Sequence, residues 1–110
     1  MNRIKTYSEF YLFYLSEHSN KTCRLLHFIG TTLVFLLAFL AIYLNKPMLW
    51  IFVPIAGYGF AWVGHLIFEK NKPATFKYPL WSLASDFKMY FHILFGKIAM
   101  DNSRDKNVNP

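Results

Sequence analysis

Residues 25–68 read LLHFIGTTLVFLLAFLAIYL NKP MLWIFVPIAGYGFAWVGHLIF, two apolar runs at 25–44 and 48–68 parted only by Asn45-Lys46-Pro47. Neither run holds an Asp, Glu, Lys or Arg. At about 1.5 Å rise per residue, each run is long enough as an α-helix to cross the roughly 30 Å hydrocarbon core of a bilayer. The short link permits only a tight reversal, and Pro47 suits the first turn of a new helix. The stretch predicts an all-α integral membrane helical bundle built on an antiparallel two-span hairpin.

The flanking charges orient it. Arg3, Lys5, Lys21 and Arg24 precede the first run, Lys70, Lys72 and Lys77 follow the second, and the reversal carries only Lys46. Positive charge marks the cytoplasmic side, which places both termini there. The polar N-terminus leads to no small-residue cleavage site, so no secretory signal is expected. The expected location is the inner membrane of a bacterium, or the endoplasmic reticulum in a eukaryote.

Composition agrees. Of 110 residues 55% are hydrophobic, 20% aromatic and only 16% charged, more apolar surface than one small soluble core can hide. The net charge of +6 is spread beside the apolar runs, without the motifs of nucleic-acid binding; anionic lipid is the partner it fits. Cys23, the single cysteine, excludes an internal disulfide and a paired thiolate site.

Outside the hairpin, 7–18 reads as a short aromatic helix and 80–100 as an amphipathic one. In the latter Leu80, Leu83, Ala84, Phe87, Phe91, Leu94, Phe95 and Ile98 recur at steps of three and four. Asp86, Lys88 and Lys97 within it favour lying along the cytoplasmic interface over a third span. Pro73 and Pro79 make 71–79 a loop. Residues 1–100 form one domain, and 101–110 a polar, disordered tail. Gly30, Thr31, Ala38 and Ala41 share one face of the first span, and Gly57, Ala61 and Gly64 one face of the second, so the backbones can approach closely. Pro54 is expected to bend the second span.

Three of the four histidines carry the chemistry. His27 lies near the start of the first span and His65 near the end of the second, so an antiparallel pair sets them at similar depth. Ser19-Asn20-Lys21-Thr22 is a helix break and recap, which would fold the first helix back and bring His18 toward them. Polar side chains at membrane depth are costly and mark function. Glu69, one helical turn after His65, is a candidate further ligand or a group that orients an imidazole, and Asn20, Asn71 and Asp86 are candidates for that supporting role. Neutral imidazoles, with or without one carboxylate, suit iron or zinc. His92 falls off the apolar stripe and reads as a solvated or headgroup-facing residue.

At these residues the chain resembles a known family. Glu17-His18-Ser19-Asn20, Leu26-His27-Phe28-Ile29-Gly30-Thr31 and Gly57-Tyr58-Gly59-Phe60-Ala61-Trp62-Val63-Gly64-His65 look like its three histidine blocks. Phe68-Glu69-Lys70-Asn71-Lys72-Pro73-Ala74-Thr75-Phe76, Tyr78-Pro79-Leu80-Trp81-Ser82 and Asp86-Phe87 follow in the same order. This is the Mpo-like family of membrane fatty acid α-dioxygenases, whose fungal member acts in phytosphingosine breakdown to odd-chain fatty acids. The resemblance implies an Fe(II) cofactor held by His18, His27 and His65 as metal-binding and catalytic residues. It also implies a reaction of a 2-hydroxy fatty acid with O₂, without 2-oxoglutarate, that shortens the acid by one carbon. Lys70, Lys72 or Lys77 would steer the substrate carboxylate.

Two other classes remain open from sequence: a non-catalytic lipid-binding or scaffold protein with structural histidines, and a zinc-dependent membrane lipid hydrolase. A homo-oligomer is compatible with either spans or flanks, and a channel is disfavoured because two spans offer no polar stripe through the bilayer.

Overall fold

Thr6 opens the first helix by accepting a hydrogen bond from the Glu9 amide at 3.2 Å, half of a capping box. In the computed structural model, which describes residues 4–72, 77–100, 103 and 105, that helix is α1 (Tyr7–Ser16). Residues 73–76 of the expected 71–79 loop and most of the polar tail lie outside the described residues. The break foreseen at 19–22 follows α1: the Asn20 side chain accepts from the amides of Thr22 and Cys23 at 2.8 and 3.2 Å and caps α2 (Lys21–Tyr43).

α2 ends at Asn45, whose left-handed φ of 52° lets the Lys46 amide reach back to the Ala41 carbonyl at 3.0 Å. Pro47 then starts a 3₁₀ turn, Pro47–Ile51, that runs into α3 (Phe52–Val63) and a π-helical turn, Gly64–Glu69. Pro54 is the third residue of α3, and a proline ring crowds the carbonyl four residues earlier, here that of Trp50 inside the 3₁₀ stretch. α4 (Pro79–Leu94) begins with Pro79 in its first turn. All these elements are helical, and no strand occurs among the described residues.

α2 and the helical stretch Pro47–Glu69 are each 23 residues long and apolar enough to cross a membrane. They touch along their length in opposite order. A Cβ on Gly30 would stand 3.0 Å from that of Phe60, one on Gly57 3.3 Å from Val34 Cγ2, and one on Gly64 3.0 Å from Cys23 Sγ. At Gly30 and Gly64 a side chain would force its neighbour to give by a few tenths of an ångström, so glycine favours this close approach. Many other side chains of the two helices face outward, as with Phe39, Ile42, Leu66 and Ile67.

The buried core forms where Phe10, Tyr11, Tyr14 and Leu15 of α1 pack with Tyr78, Met89 and Ile98. Here α4 departs from the usual sense of amphipathicity. Its buried residues are Ser82, Ser85 and Met89, while Leu80 and Phe95 of the apolar stripe are 79% and 73% exposed. The cause is the tyrosine row on α1. Tyr7, Tyr11 and Tyr14 share a face at steps of four and three, and their hydroxyls need polar partners when buried. Tyr7 meets Ser85 Oγ at 2.9 Å, Tyr11 meets His92 Nδ1 at 2.7 Å, and Tyr14 donates to the Asp86 carboxylate. His92 is thus a half-buried partner of Tyr11 across the α1–α4 interface.

Candidate metal centre

His18, His27 and His65 meet at the mouth of the α2–α3 pair, all three buried. His18 sits in the turn after α1, where its amide bonds the Leu15 carbonyl at 3.1 Å. His27 lies in the second turn of α2. His65 lies in the π turn, whose extra residue per turn resets the direction of side chains at the helix end. The left-handed Lys70 (φ 58°) closes that turn, and the Asn71 amide returns to the His65 carbonyl at 3.0 Å.

The decisive feature is which nitrogen faces which partner. His18 Nδ1 lies 2.6 Å from the Tyr14 carbonyl, His27 Nδ1 2.9 Å from the Cys23 carbonyl, and His65 Nδ1 2.7 Å from Asn71 Oδ1. The Asn71 amide orientation is fixed because its Nδ2 donates to the Glu17 carbonyl at 3.2 Å. All three partners are oxygens that only accept, so each Nδ1 must carry the hydrogen. A neutral ring then presents a bare lone pair at Nε2. Those lone pairs point at one another: His18 and His27 Nε2 are 3.1 Å apart, and His65 and His18 Nε2 2.8 Å. Burial drives the His18 pKa well below its ordinary value, with the neighbouring His27 and His65 acting in the same sense. Neutral rings are the result, and they leave the cluster with three acceptors and no donor. A cation among them satisfies it, so the donor set fits a transition metal bound through imidazole.

Other side chains hold the three segments together. Glu69 is not among the residues that could share an ion with the histidines. Its Oε2 accepts from the Asn20 amide at 2.7 Å and its Oε1 faces Ser19 Oγ at 3.5 Å, latching the turn that carries His18 onto the helix that carries His65. Asn20 divides its groups between this latch and the α2 cap. Asn71 orients His65. Sequence reasoning missed Arg24, assigned to the charged flank of the first span. It is fully buried; its Nε donates to the His18 carbonyl, its Nη2 to the Leu15 carbonyl at 3.2 Å, and its Nη1 to that of Ala99 at 3.1 Å. Asp105 completes the arrangement with oxygens 2.8 and 2.7 Å from the two Nη atoms. Tyr14 was missed as well: its ring stacks on His18 with centroids 3.9 Å apart. Lys70, Lys72 and Lys77 are exposed and do not reach the cluster; Lys77 lies 5.7 Å from the centre of the Tyr78 ring.

Beside the cluster opens a cavity of about 230 Å³. His27 and Asp86 both line it. Thr31 and Val34 of α2, Val53, Pro54, Gly57, Tyr58 and Ala61 of α3, and Leu83 and Phe87 of α4 form the rest. Burial pushes the Asp86 carboxyl up to about 6, and the hydrogen bond from Tyr14 offsets part of that shift.

An all-helical chain with a buried triple-imidazole cluster and an apolar cavity alongside defines a class of small helical proteins able to hold a metal. The comparison with known families narrows this: the family described as 2-hydroxy-palmitic acid dioxygenase Mpo1-like matches residues 4–98, and the chain belongs to it. No curated protein and no solved structure matches the chain.

Proposed function

We propose that this protein is a membrane-embedded, iron(II)-dependent dioxygenase that shortens 2-hydroxy fatty acids by one carbon. The observation that carries the reading is the convergence of three buried Nε2 lone pairs whose rings have no hydrogen left to donate. The family description supports a dioxygenase acting on a 2-hydroxy fatty acid. His18, His27 and His65 would hold the metal. Bound there, iron(II) would supply O₂ chemistry and a Lewis acid for the substrate's polar head.

The chain's own residues do the rest. The carbonyls of Tyr14 and Cys23 and the side chain of Asn71 lock each ring by its Nδ1 hydrogen, which fixes both orientation and basicity. Tyr14 covers one face of His18 and keeps water from it. Thr31, Val34, Val53 and Gly57 line a slot that takes an acyl chain and excludes water along it. The exposed lysines at the end of the second helix draw a carboxylate toward the mouth.

The same reading places α2 and the stretch Pro47–Glu69 across the bilayer as an antiparallel pair, with the termini in the cytoplasm. Outward-facing apolar side chains on both helices and on α4 support it, since an exposed surface of this kind is stable in lipid and not in water. A scaffold role for the histidines fits less well: interhelical hydrogen bonding needs a donor, and the Nε2 atoms have none. The test is incubation of detergent-purified, Fe(II)-loaded protein with 2-hydroxyhexadecanoic acid under air, followed by mass analysis. The pentadecanoic product should appear only with both Fe(II) and O₂. Stoichiometric zinc with no product would overturn the dioxygenase reading in favour of the hydrolase.

A further inference from the structure

Among the described residues, Asp86 is the one acid lining the cavity, which His27 also lines. Tyr14 donates to its Oδ1, and Oδ2 makes no hydrogen bond among the described residues. A carboxylate oxygen in a slot lined mainly by apolar side chains is an acceptor waiting for an O–H or N–H donor. A fatty acid entering tail-last presents its α-carbon at this depth, between the cluster and the slot. Resting on the functional reading above, we infer that Asp86 is the residue that selects 2-hydroxy acids, by accepting the hydrogen of the substrate's 2-hydroxyl at Oδ2. An unsubstituted acid would leave that oxygen desolvated and unpaired, which is how a site built for a hydroxyl rejects the analogue lacking it. Tyr14 makes the selection directional: by occupying Oδ1 and stacking on His18 it holds the carboxylate at a set angle beside the cluster.

The experiment measures binding without turnover. Fe(II)-loaded protein in detergent, kept free of O₂, is titrated with 2-hydroxyhexadecanoic acid and with hexadecanoic acid, and iron content is measured on every sample. Wild type should favour the hydroxy acid by roughly 10- to 100-fold, the range for one hydrogen bond to a charged group. In Asp86→Leu the preference should collapse to within about twofold of unity, because affinity for the plain acid rises as affinity for the hydroxy acid falls. Asp86→Asn keeps a neutral acceptor of the same shape and should retain a reduced preference, and it serves as the readout if the leucine variant does not fold. A wild-type preference surviving in these variants at full iron content would overturn the assignment of Asp86, and so would equal binding of the two acids by wild type. Binding of neither acid to wild type would overturn the functional reading itself, and this assignment with it.

Discussion

His18 and His65 face each other Nε2 to Nε2 across 2.8 Å, a hydrogen-bond distance at which neither ring has a hydrogen to offer. A shared cation resolves that conflict. Substituting any one of the three rings with alanine should therefore abolish stoichiometric metal binding, measured by elemental analysis, rather than weaken it slightly. Chelation of the wild-type protein should lower its thermal midpoint in detergent. A ligand present at 100 times its Kd contributes about 2.7 kcal/mol, so a shift of several degrees is expected. Unchanged melting after complete metal removal would speak against a bound ion as part of the fold.

Asn71 tests the same geometry from one step away. It accepts the His65 Nδ1 hydrogen at 2.7 Å and ties to the Glu17 carbonyl at 3.2 Å. Asn71→Leu removes both contacts while leaving all three Nε2 donors in place. Metal affinity should fall by roughly 10- to 100-fold, with helical content by circular dichroism unchanged. Asn71→Asp, which restores an acceptor, should recover most of the affinity.

Much of this was legible in the sequence, for a physical reason. The two long helices follow from length and apolarity, and the break at Ser19-Asn20-Lys21-Thr22 from side chains that cap helices, both local properties. Placing His27 and His65 at one depth needs only the antiparallel order. What escaped depends on contacts between distant segments. Periodicity finds the apolar stripe of α4 but not the direction it faces; where the surroundings of the bundle are apolar, the polar side goes inward, toward the tyrosines of α1. Arg24 looks like any flanking cation until the carbonyls of Leu15 and His18 and the carboxylate of Asp105 surround it. The π turn at His65 has no signature in composition.

Gly64 sets how closely the second helix approaches the first beside the cluster. A Cβ there would lie 3.0 Å from Cys23 Sγ and 3.3 Å from Cys23 Cα, and the Cys23 carbonyl is the partner of His27 Nδ1. Gly64→Ala should destabilise the protein by about 1–3 kcal/mol, the usual cost of overpacking, and weaken metal binding as the two helices are pushed apart. Cys23→Ala removes the closest clashing atom, so the double variant should recover part of the loss. Strict additivity of the two changes in unfolding midpoint would refute a direct contact.

Arg24 and Asp105 join the region after α4 to the base of the cluster. Asp105→Asn removes the carboxylate charge that lies 2.7 Å from the guanidinium, which is 0% exposed. Breaking a fully buried pair costs about 3–5 kcal/mol; Asp105 is 22% exposed, so the expected loss is smaller, about 1–3 kcal/mol. Arg24→Lys should not substitute, because one ammonium cannot serve the carbonyls of His18, Leu15 and Ala99 as well as a bidentate carboxylate. Both variants should also lower metal affinity, since Arg24 holds the backbone of His18. Unfolding followed by tryptophan fluorescence reads the first effect and metal titration the second.

Asp86 should carry a cost in stability that depends on pH. Its folded pKa is pushed up to about 6 from an ordinary value of 3.8, chiefly by burial. A carboxyl raised in this way binds its proton more tightly in the folded state, so ionising it destabilises the fold. The penalty is complete above pH 6 and fades as pH falls from 6 toward 4, below which both states are protonated. Asp86→Asn, which keeps the acceptor for Tyr14 without the charge, should therefore melt higher than wild type at pH 7.5. The gain should be about 1–2 kcal/mol, allowing for partial access to water. The two proteins should converge in melting temperature near pH 4.5. A retained carboxylate that lowers stability at the pH of its use is the expected signature of a side chain kept for binding rather than for packing. An Asp86→Asn variant less stable than wild type at pH 7.5 would assign the carboxylate to the fold instead.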